Sequence, residues 1–267
     1  MIFPNKIYFN HSQNRMNNEG DTVSSRKYFF EKKNKNLFHL LKNRFSWMNN
    51  FIKENDNIVE LGSGPAFVKE FINNKNFKTS DIIGDDFIDH KGIDAMNTRF
   101  DDKSFSVVIS SNLIHHVAHP IKLFNEVHRI LKPGGIYIIQ DVNFSIMMKM
   151  IILLMKIEGY DETVNILDDK TPCNDVNDPW SGNNAIPNLI FENFEQFNKK
   201  LDNNFEIIHS SKNEFMIFLN SGGVIAKTFY IPLNEFMNKF LIKIDNQLTK
   251  VHKIFALQQS IVIKKIN

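Results

Sequence analysis

The chain has 267 residues, 42% of them hydrophobic and 23% charged, with a formal net charge of +2. That balance suits a folded α/β core with insertions or a small cap, and it excludes a nucleic-acid binder built on a dense basic stripe. The single cysteine, Cys173, excludes an internal disulfide and a cysteine-based metal cluster.

Residues 1–23 are polar and irregular, and Met1–Arg15 lacks the basic-then-apolar order of a signal peptide. The basic stretch Arg26–Lys35, with Tyr28, Phe29 and Phe30, reads as a solvated helix face over a buried aromatic edge. From Asn36, the residues Leu37, Leu40, Leu41, Met48, Phe51 and Ile52 recur at helical spacing on one stripe, which Lys53–Asn57 ends. Short apolar runs separated by helical segments follow. Ile58–Leu61 reads as a buried strand with a helix over Pro65–Ile72 behind it. Phe77–Ile83, His90–Ala95 and Phe105–Ser110 read as three more strands, Pro120–Leu131 as a helix and Ile136–Gln140 as a fifth strand. This alternation predicts a mostly parallel sheet covered on both faces.

The last third differs. The pattern predicts an apolar helix over 144–158, a loop over 160–188 with Pro172, Pro179, Gly182 and Pro187, and a helix over Phe191–Leu201. Phe205–His209 reads as a strand that resumes after a break through Phe215–Leu219, Pro232–Val251 as a helix and Ser260–Lys264 as a closing strand. The most apolar stretch, Ile146–Ile157, is interrupted by Lys149 and Lys156 and is shorter than the roughly 20 residues that span a bilayer. The expectation is a cytoplasmic protein with no transmembrane segment.

The segment Ile58-Val59-Glu60-Leu61-Gly62-Ser63-Gly64-Pro65-Ala66 carries most of the chemistry. A buried strand runs into a turn where Gly62 and Gly64 permit tight turning and close approach of a ligand to the backbone. Nicotinamide, flavin and adenosylmethionine sites all use such a loop. Glu60 at the strand end repels a pyrophosphate and accepts from a cationic amine, which favours adenosylmethionine.

Glu60–Gly64 resembles the first motif of class I S-adenosylmethionine-dependent methyltransferases, with Ala66 where the family often has a third glycine, and Asp178–Pro187 resembles the loop region of some bacterial small-molecule members. The resemblance implies that Glu60 orients the methionine end of the cofactor beside Gly62, Ser63 and Gly64. Asp81, in Thr79-Ser80-Asp81-Ile82, matches the acid that binds both ribose hydroxyls, since two hydroxyls need two acceptor atoms; Asp85 and Asp86 are rivals. Asp94-Ala95-Met96 resembles the station at which an acid accepts from the adenine amine and the next amide donates to the ring. Ser110-Ser111-Asn112 closes the fourth strand beneath the cofactor. Leu131-Lys132-Pro133-Gly134-Gly135, with Glu126 and Arg129 upstream, is similar to the family's helix–turn–strand passage. These stations, covering about residues 55–142, imply an α/β, Rossmann-like seven-stranded sheet with helices on both faces and a helical cap from C-terminal insertions. Residues 1–53 would form an N-terminal extension and covering helix, 54–143 the cofactor-binding core, and 144–267 a substrate cap plus the last strands, in one compact unit.

Leu113-Ile114-His115-His116-Val117 follows the fourth strand at the sheet edge where ligands bind. His115 or His116 there suits a general base near neutral pH; the alternative is one histidine packed beside the cofactor and the other in solvent. His119 lies close by in the chain, yet no Asp or Glu does, so no metal site is expected. Asp178–Pro187, rich in turn formers around Trp180, reads equally as a lid over the acceptor or as a surface loop. The expected activity is methyl transfer to a small-molecule or lipid-linked acceptor in a biosynthetic pathway, without nucleic acid. The alternative is a non-catalytic S-adenosylmethionine-binding scaffold or partner subunit.

Overall fold

The computed structural model describes residues 3–9, 21–178, 180–225 and 227–266. Most of the irregular N-terminal segment and Pro179 of the Asp178–Pro187 loop lie outside them. In chain order the elements are β1 (Lys6–Tyr8), α1 (Thr22–Phe30), α2 (Lys35–Phe45), β2 (Ile58–Leu61), β3 (Phe77–Asp81), β4 (His90–Lys91), β5 (Phe105–Ser111), α3 (Pro120–Ile130), β6 (Leu131–Val142), α4 (Ile146–Met155), β7 (Gly159–Asp161), α5 (Ile186–Phe191), α6 (Phe194–Lys199), β8 (Phe205–Asn213), α7 (Met216–Leu219), α8 (Glu235–Val251) and β9 (Gln258–Lys265).

Seven strands form one sheet in the order β4-β3-β2-β5-β6-β9-β8. β2 to β6 pair in parallel, and β9 runs antiparallel to both β6 and β8. Period-two alternation divides the strand residues between two apolar layers. Val59, Val108, Tyr137, Ile139, Ile261 and Ile263 face the layer closed by α3, α5 and α6. Ile58, Val107, Ile109, Ile138 and Val262 face the layer closed by α2, whose Leu37, Leu40, Leu41 and Phe45 are buried together with Met48 of the following turn. The 36–52 stripe therefore covers the sheet. Asn34 caps α2 by accepting from the Leu37 amide at 3.1 Å.

A third apolar cluster, formed by Val142, Met148, Ile152, Tyr160, Ala185 and Leu257, lies under α4. β1 pairs antiparallel with β7 beside it and so ties the N-terminal segment to the last third of the chain. Among the described residues no helix is long and apolar enough to cross a membrane.

Several elements depart from the pattern reading, each for a local or tertiary reason. The helix expected over Pro65–Ile72 shrinks to a 3₁₀ turn, Val68–Phe71. Ala66 takes a left-handed conformation (φ 56°), and Arg26 occupies the Pro65 and Ala66 carbonyl oxygens at 2.8 and 3.3 Å. The third strand keeps only His90–Lys91. The helix expected over Phe191–Leu201 is confined to α6, with Phe191 the last residue of α5, and the 160–188 loop begins in β7 and ends in α5. The strand expected over Phe215–Leu219 is the helix α7: Asp245 accepts from the Phe215 and Met216 amides, both at 2.8 Å, and caps its N-terminus.

Candidate active site

The glycine loop leaves β2 at the C-terminal edge of the sheet, with Gly62 at φ 65° and Gly64 at φ 48°. Gly62 cannot carry a side chain without conflict, because a β-carbon there would stand 2.6 Å from Leu113 Cδ1. The Gly64 amide donates to Asp81 Oδ2 at 2.8 Å, and the Ser63 amide donates to the Ser80 carbonyl at 3.0 Å, which locks the loop onto β3. Helix α1 lies over this loop: Thr22 packs against Gly64 and donates to Asp85, and Arg26 also reaches Glu70 at 3.1 Å.

Of the three acids near the end of β3, Asp81 is set against the glycine loop and accepts a second amide, Ile83, at 2.8 Å. Asp85 is engaged by Thr22, and the exposed Asp86 pairs with Lys91 at 3.0 Å. Burial raises the Asp81 pKa against the pull of its two amide donors. Ile82 beside it is 54% exposed at the rim. Asp94 accepts from the Met96 amide at 2.8 Å, and Ala95 and Met96 pack on the α3 layer. Ser111 ends β5, next to Asn112 in a left-handed turn (φ 52°).

Glu60 is buried to 1% exposure, and its Oε2 has no hydrogen-bond partner. Burial, with Asp81 nearby, holds its pKa well above the ordinary carboxylate value. An orphaned buried acceptor at the mouth of a glycine loop fits a ligand that brings a cationic donor, such as an α-amino group.

The second half of the site starts two residues beyond Leu113. His115 is buried, and its Nδ1 lies 2.6 Å from Asp141 Oδ1 at the end of β6. The other oxygen of Asp141 accepts from the Ile114 amide at 2.8 Å. His116 Nδ1 stands 3.0 Å from the Ser181 carbonyl oxygen, and the two imidazole centroids are 4.1 Å apart. Glu158 faces both rings across Nε2, at 3.6 Å from His115 and 3.9 Å from His116. Burial opposes charge on His115, but Asp141 and Glu158 outweigh it and raise its pKa; burial and the neighbouring His115 lower that of His116.

The 174–185 segment fastens over this cluster. Asn174 Nδ2 and the Asn183 amide donate to the His115 carbonyl at 2.7 and 2.8 Å, and Asn184 Nδ2 donates to Glu158 Oε2 at 3.0 Å. Ser181 and Gly182, next to Trp180, thus stand against the imidazoles and Glu158, so this part of the turn-rich loop covers the cluster.

Asp141 and Glu158 are absent from the candidates that the sequence offers. The expectation of no metal site rests on the lack of a nearby acid, and the fold removes that ground by bringing both carboxylates to the histidines. Asp141 had a findable signal, since it directly follows the predicted fifth strand, and side chains at the ends of adjacent parallel strands meet at one edge. Glu158 had none: it sits in a left-handed turn (φ 47°) between α4 and β7.

Residues 63–139, from the glycine loop through most of β6, match the family model described as a methyltransferase domain. No curated protein matches the chain by sequence. Among solved structures, it is similar to a SAM-dependent methyltransferase from Archaeoglobus fulgidus, with 16% identity over 90% of this chain and 99% of that one and a TM-score of 0.51. It is also similar to an S-adenosylmethionine-dependent methyltransferase from Mesorhizobium loti, with 16% identity over 82% and 96% of the two chains and a TM-score of 0.44. At this identity the first likeness speaks to the fold alone, a Rossmann-like seven-stranded sheet.

Proposed function

We propose that this chain, which belongs to the class I S-adenosylmethionine-dependent methyltransferases, methylates an oxygen of a small-molecule acceptor activated at His115 and His116. One observation carries the reading. Leu113 lies on Gly62 of the cofactor loop, and His115, fixed by Asp141, follows two residues later. The loop and the imidazole pair therefore lie near each other at one edge of the sheet.

When bound, the cofactor supplies a methyl group already activated as a sulfonium. The protein's task is to orient the two reactants and to relieve the acceptor of its proton. In this reading Glu60 takes the amine of the methionine end, Gly62, Ser63 and Gly64 admit it to the backbone, and Asp81, with Ile82 at the rim, takes the ribose hydroxyls. Asp94, Ala95 and Met96 border the adenine, and Ser111 lies beneath. Orientation lowers the barrier by holding the reacting atoms about 3–3.5 Å apart on one axis. An acceptor hydroxyl needs help to lose its proton, and in this reading the His115–His116–Glu158 cluster, braced by Asp141, gives that help. Residues 181–184 support the reading by covering His115, whose side chain is 4% exposed, and part of His116.

Calorimetric titration with S-adenosylhomocysteine and S-adenosylmethionine, with Glu60→Ala and Asp94→Ala as controls, tests the cofactor half. Micromolar binding lost in both variants is expected, and a folded wild type that binds neither compound sinks the proposal. Transfer of labelled methyl groups into fractionated cell extract then identifies the acceptor. Label in the aqueous low-mass fraction supports a free small molecule, and label that partitions into organic solvent supports a lipid-linked one.

A further inference from the structure

His115 and His116 present their Nε2 atoms to a single carboxylate, and the opposite nitrogen of each ring is already committed. The Ser181 carbonyl oxygen 3.0 Å from His116 Nδ1 can only accept, so the proton of that ring sits on Nδ1. Asp141, at 2.6 Å from His115 Nδ1, sets the same tautomer there. With both rings neutral, both Nε2 atoms carry lone pairs, and the group they face, Glu158, is a third acceptor at 3.6 and 3.9 Å. A cation among them takes the place of a proton and turns each into a ligand.

Charge points the same way. Asp141 and Glu158 bring two carboxylates to the cluster, and among the described residues no Lys or Arg forms an ion pair with either. We propose that His115, His116 and Glu158 bind a first-row divalent cation with coordination positions left open toward the acceptor. One donor atom from each residue already lies within 4.8 Å of the others. Ligands about 2.1 Å from a metal ion stand roughly 3–3.4 Å apart, so the separations of 3.6 and 3.9 Å, which run to the two oxygens of Glu158, close by a few tenths of an ångström when a cation binds. Two imidazoles and one carboxylate are a donor set for Mn, Fe, Co or Zn rather than for Mg or Ca.

Each ligand also has its own brace, as metal ligands do. Asp141 holds His115, the Ser181 carbonyl holds His116, and Asn184 Nδ2 holds Glu158 Oε2 at 3.0 Å. The left-handed backbone at Glu158 aims it inward, and Gly182 leaves it room, since a β-carbon there would stand 2.9 Å from the Glu158 carboxyl carbon. The inference rests on the cluster being the acceptor-activating site; a bound cation would lower the acceptor's pKa in place of direct proton transfer to imidazole.

The test uses the full chain without a histidine tag, stripped by chelator, dialysed and titrated with Co(II) alone by calorimetry and visible absorption. One equivalent per chain is expected. His115→Ala/His116→Ala should abolish uptake, Glu158→Gln should weaken it at least tenfold, and Asp141→Asn, which leaves all three donors in place, should weaken it 10- to 100-fold. S-adenosylhomocysteine binding, measured in parallel, reports whether each variant is folded. A wild type that binds S-adenosylhomocysteine but takes up no cation below millimolar concentration overturns the inference, as does equal uptake by folded Glu158→Gln. A wild type that takes up one cation yet binds no S-adenosylhomocysteine supports the metal site and sinks the methyltransferase reading instead.

Discussion

Asp141 and His115 form a pair across two adjacent strand ends: Oδ1 lies 2.6 Å from Nδ1, while Oδ2 accepts the amide of Ile114, the residue before the histidine. One carboxylate therefore fixes both the ring and the backbone that carries it. Asp141→Asn keeps the shape and removes the charge. Turnover should fall about 100-fold or more, with the S-adenosylhomocysteine affinity unchanged. Because Asp141 helps to raise the His115 pKa, the acid limb of the pH–rate profile should move to lower pH in the variant. A variant with wild-type kcat and an unmoved acid limb would show that the pair is only structural.

Glu60 gives a pH dependence whose sign can be worked out. Burial raises its pKa in the folded protein, so the folded state holds a proton that the unfolded chain releases near pH 4.3. The contribution to stability is therefore greatest at and below that pH and declines as pH rises through the folded value. Glu60→Gln should flatten this decline in urea unfolding from pH 4 to 8. A cationic cofactor amine needs the ionised form, so wild-type S-adenosylhomocysteine binding should tighten with pH and release a proton, seen as a binding heat that varies with buffer. Glu60→Gln should bind at least tenfold more weakly, with no proton released. Equal affinity in the two proteins would remove Glu60 from the site.

Gly62 and Leu113 couple the cofactor loop to the histidines. Gly62→Ala places a methyl group 2.6 Å from Leu113 Cδ1 and forces alanine into φ 65°. The left-handed conformation alone costs about 1–2 kcal/mol, and the contact pushes aside the end of the Leu113 side chain, two residues before His115. We expect lower stability and weaker cofactor binding. Adding Leu113→Ala to Gly62→Ala should relieve the contact but not the backbone strain, so a double-mutant cycle should show positive coupling with incomplete rescue. Strict additivity would mean that the two residues do not meet.

What the sequence reveals of this molecule divides along local and non-local causes. Ile58–Leu61, Phe105–Ser110 and the glycine turn are legible because period, composition and turn chemistry are written within a few residues. The helix behind the glycine loop fails because Arg26, from α1, takes its first carbonyls, and no window around Pro65 contains Arg26. Met216–Leu219 is apolar enough for a strand, but Asp245, from α8, caps it as a helix. The site follows the same rule. Glu60 and Asp81 are legible from their place at strand ends, whereas Glu158 reaches the histidines only because β1 and the 174–185 segment fold its turn against them.

Arg44 and Glu214 make the most deeply buried ion pair described, with side chains 2% and 0% exposed. Arg44 on α2 donates to both carboxylate oxygens, its Nε to Oε1 at 2.8 Å, and Glu214 sits at φ 60° directly after β8. The pair therefore fastens the covering helix to the antiparallel edge of the sheet. Much of the Coulomb gain is cancelled by desolvation, so its net worth is small, but removing one partner strands a buried charge at about 3–5 kcal/mol. Arg44→Met should lose that much in urea unfolding with an unchanged m-value. Arg44→Met/Glu214→Gln should recover most of the loss, because the orphaned charge is gone. S-adenosylhomocysteine binding should hardly change in the double variant, because neither residue is among those proposed to hold the cofactor. A single variant that loses less than about 1 kcal/mol would mean that water reaches Glu214 and that the helix is held by its apolar stripe alone.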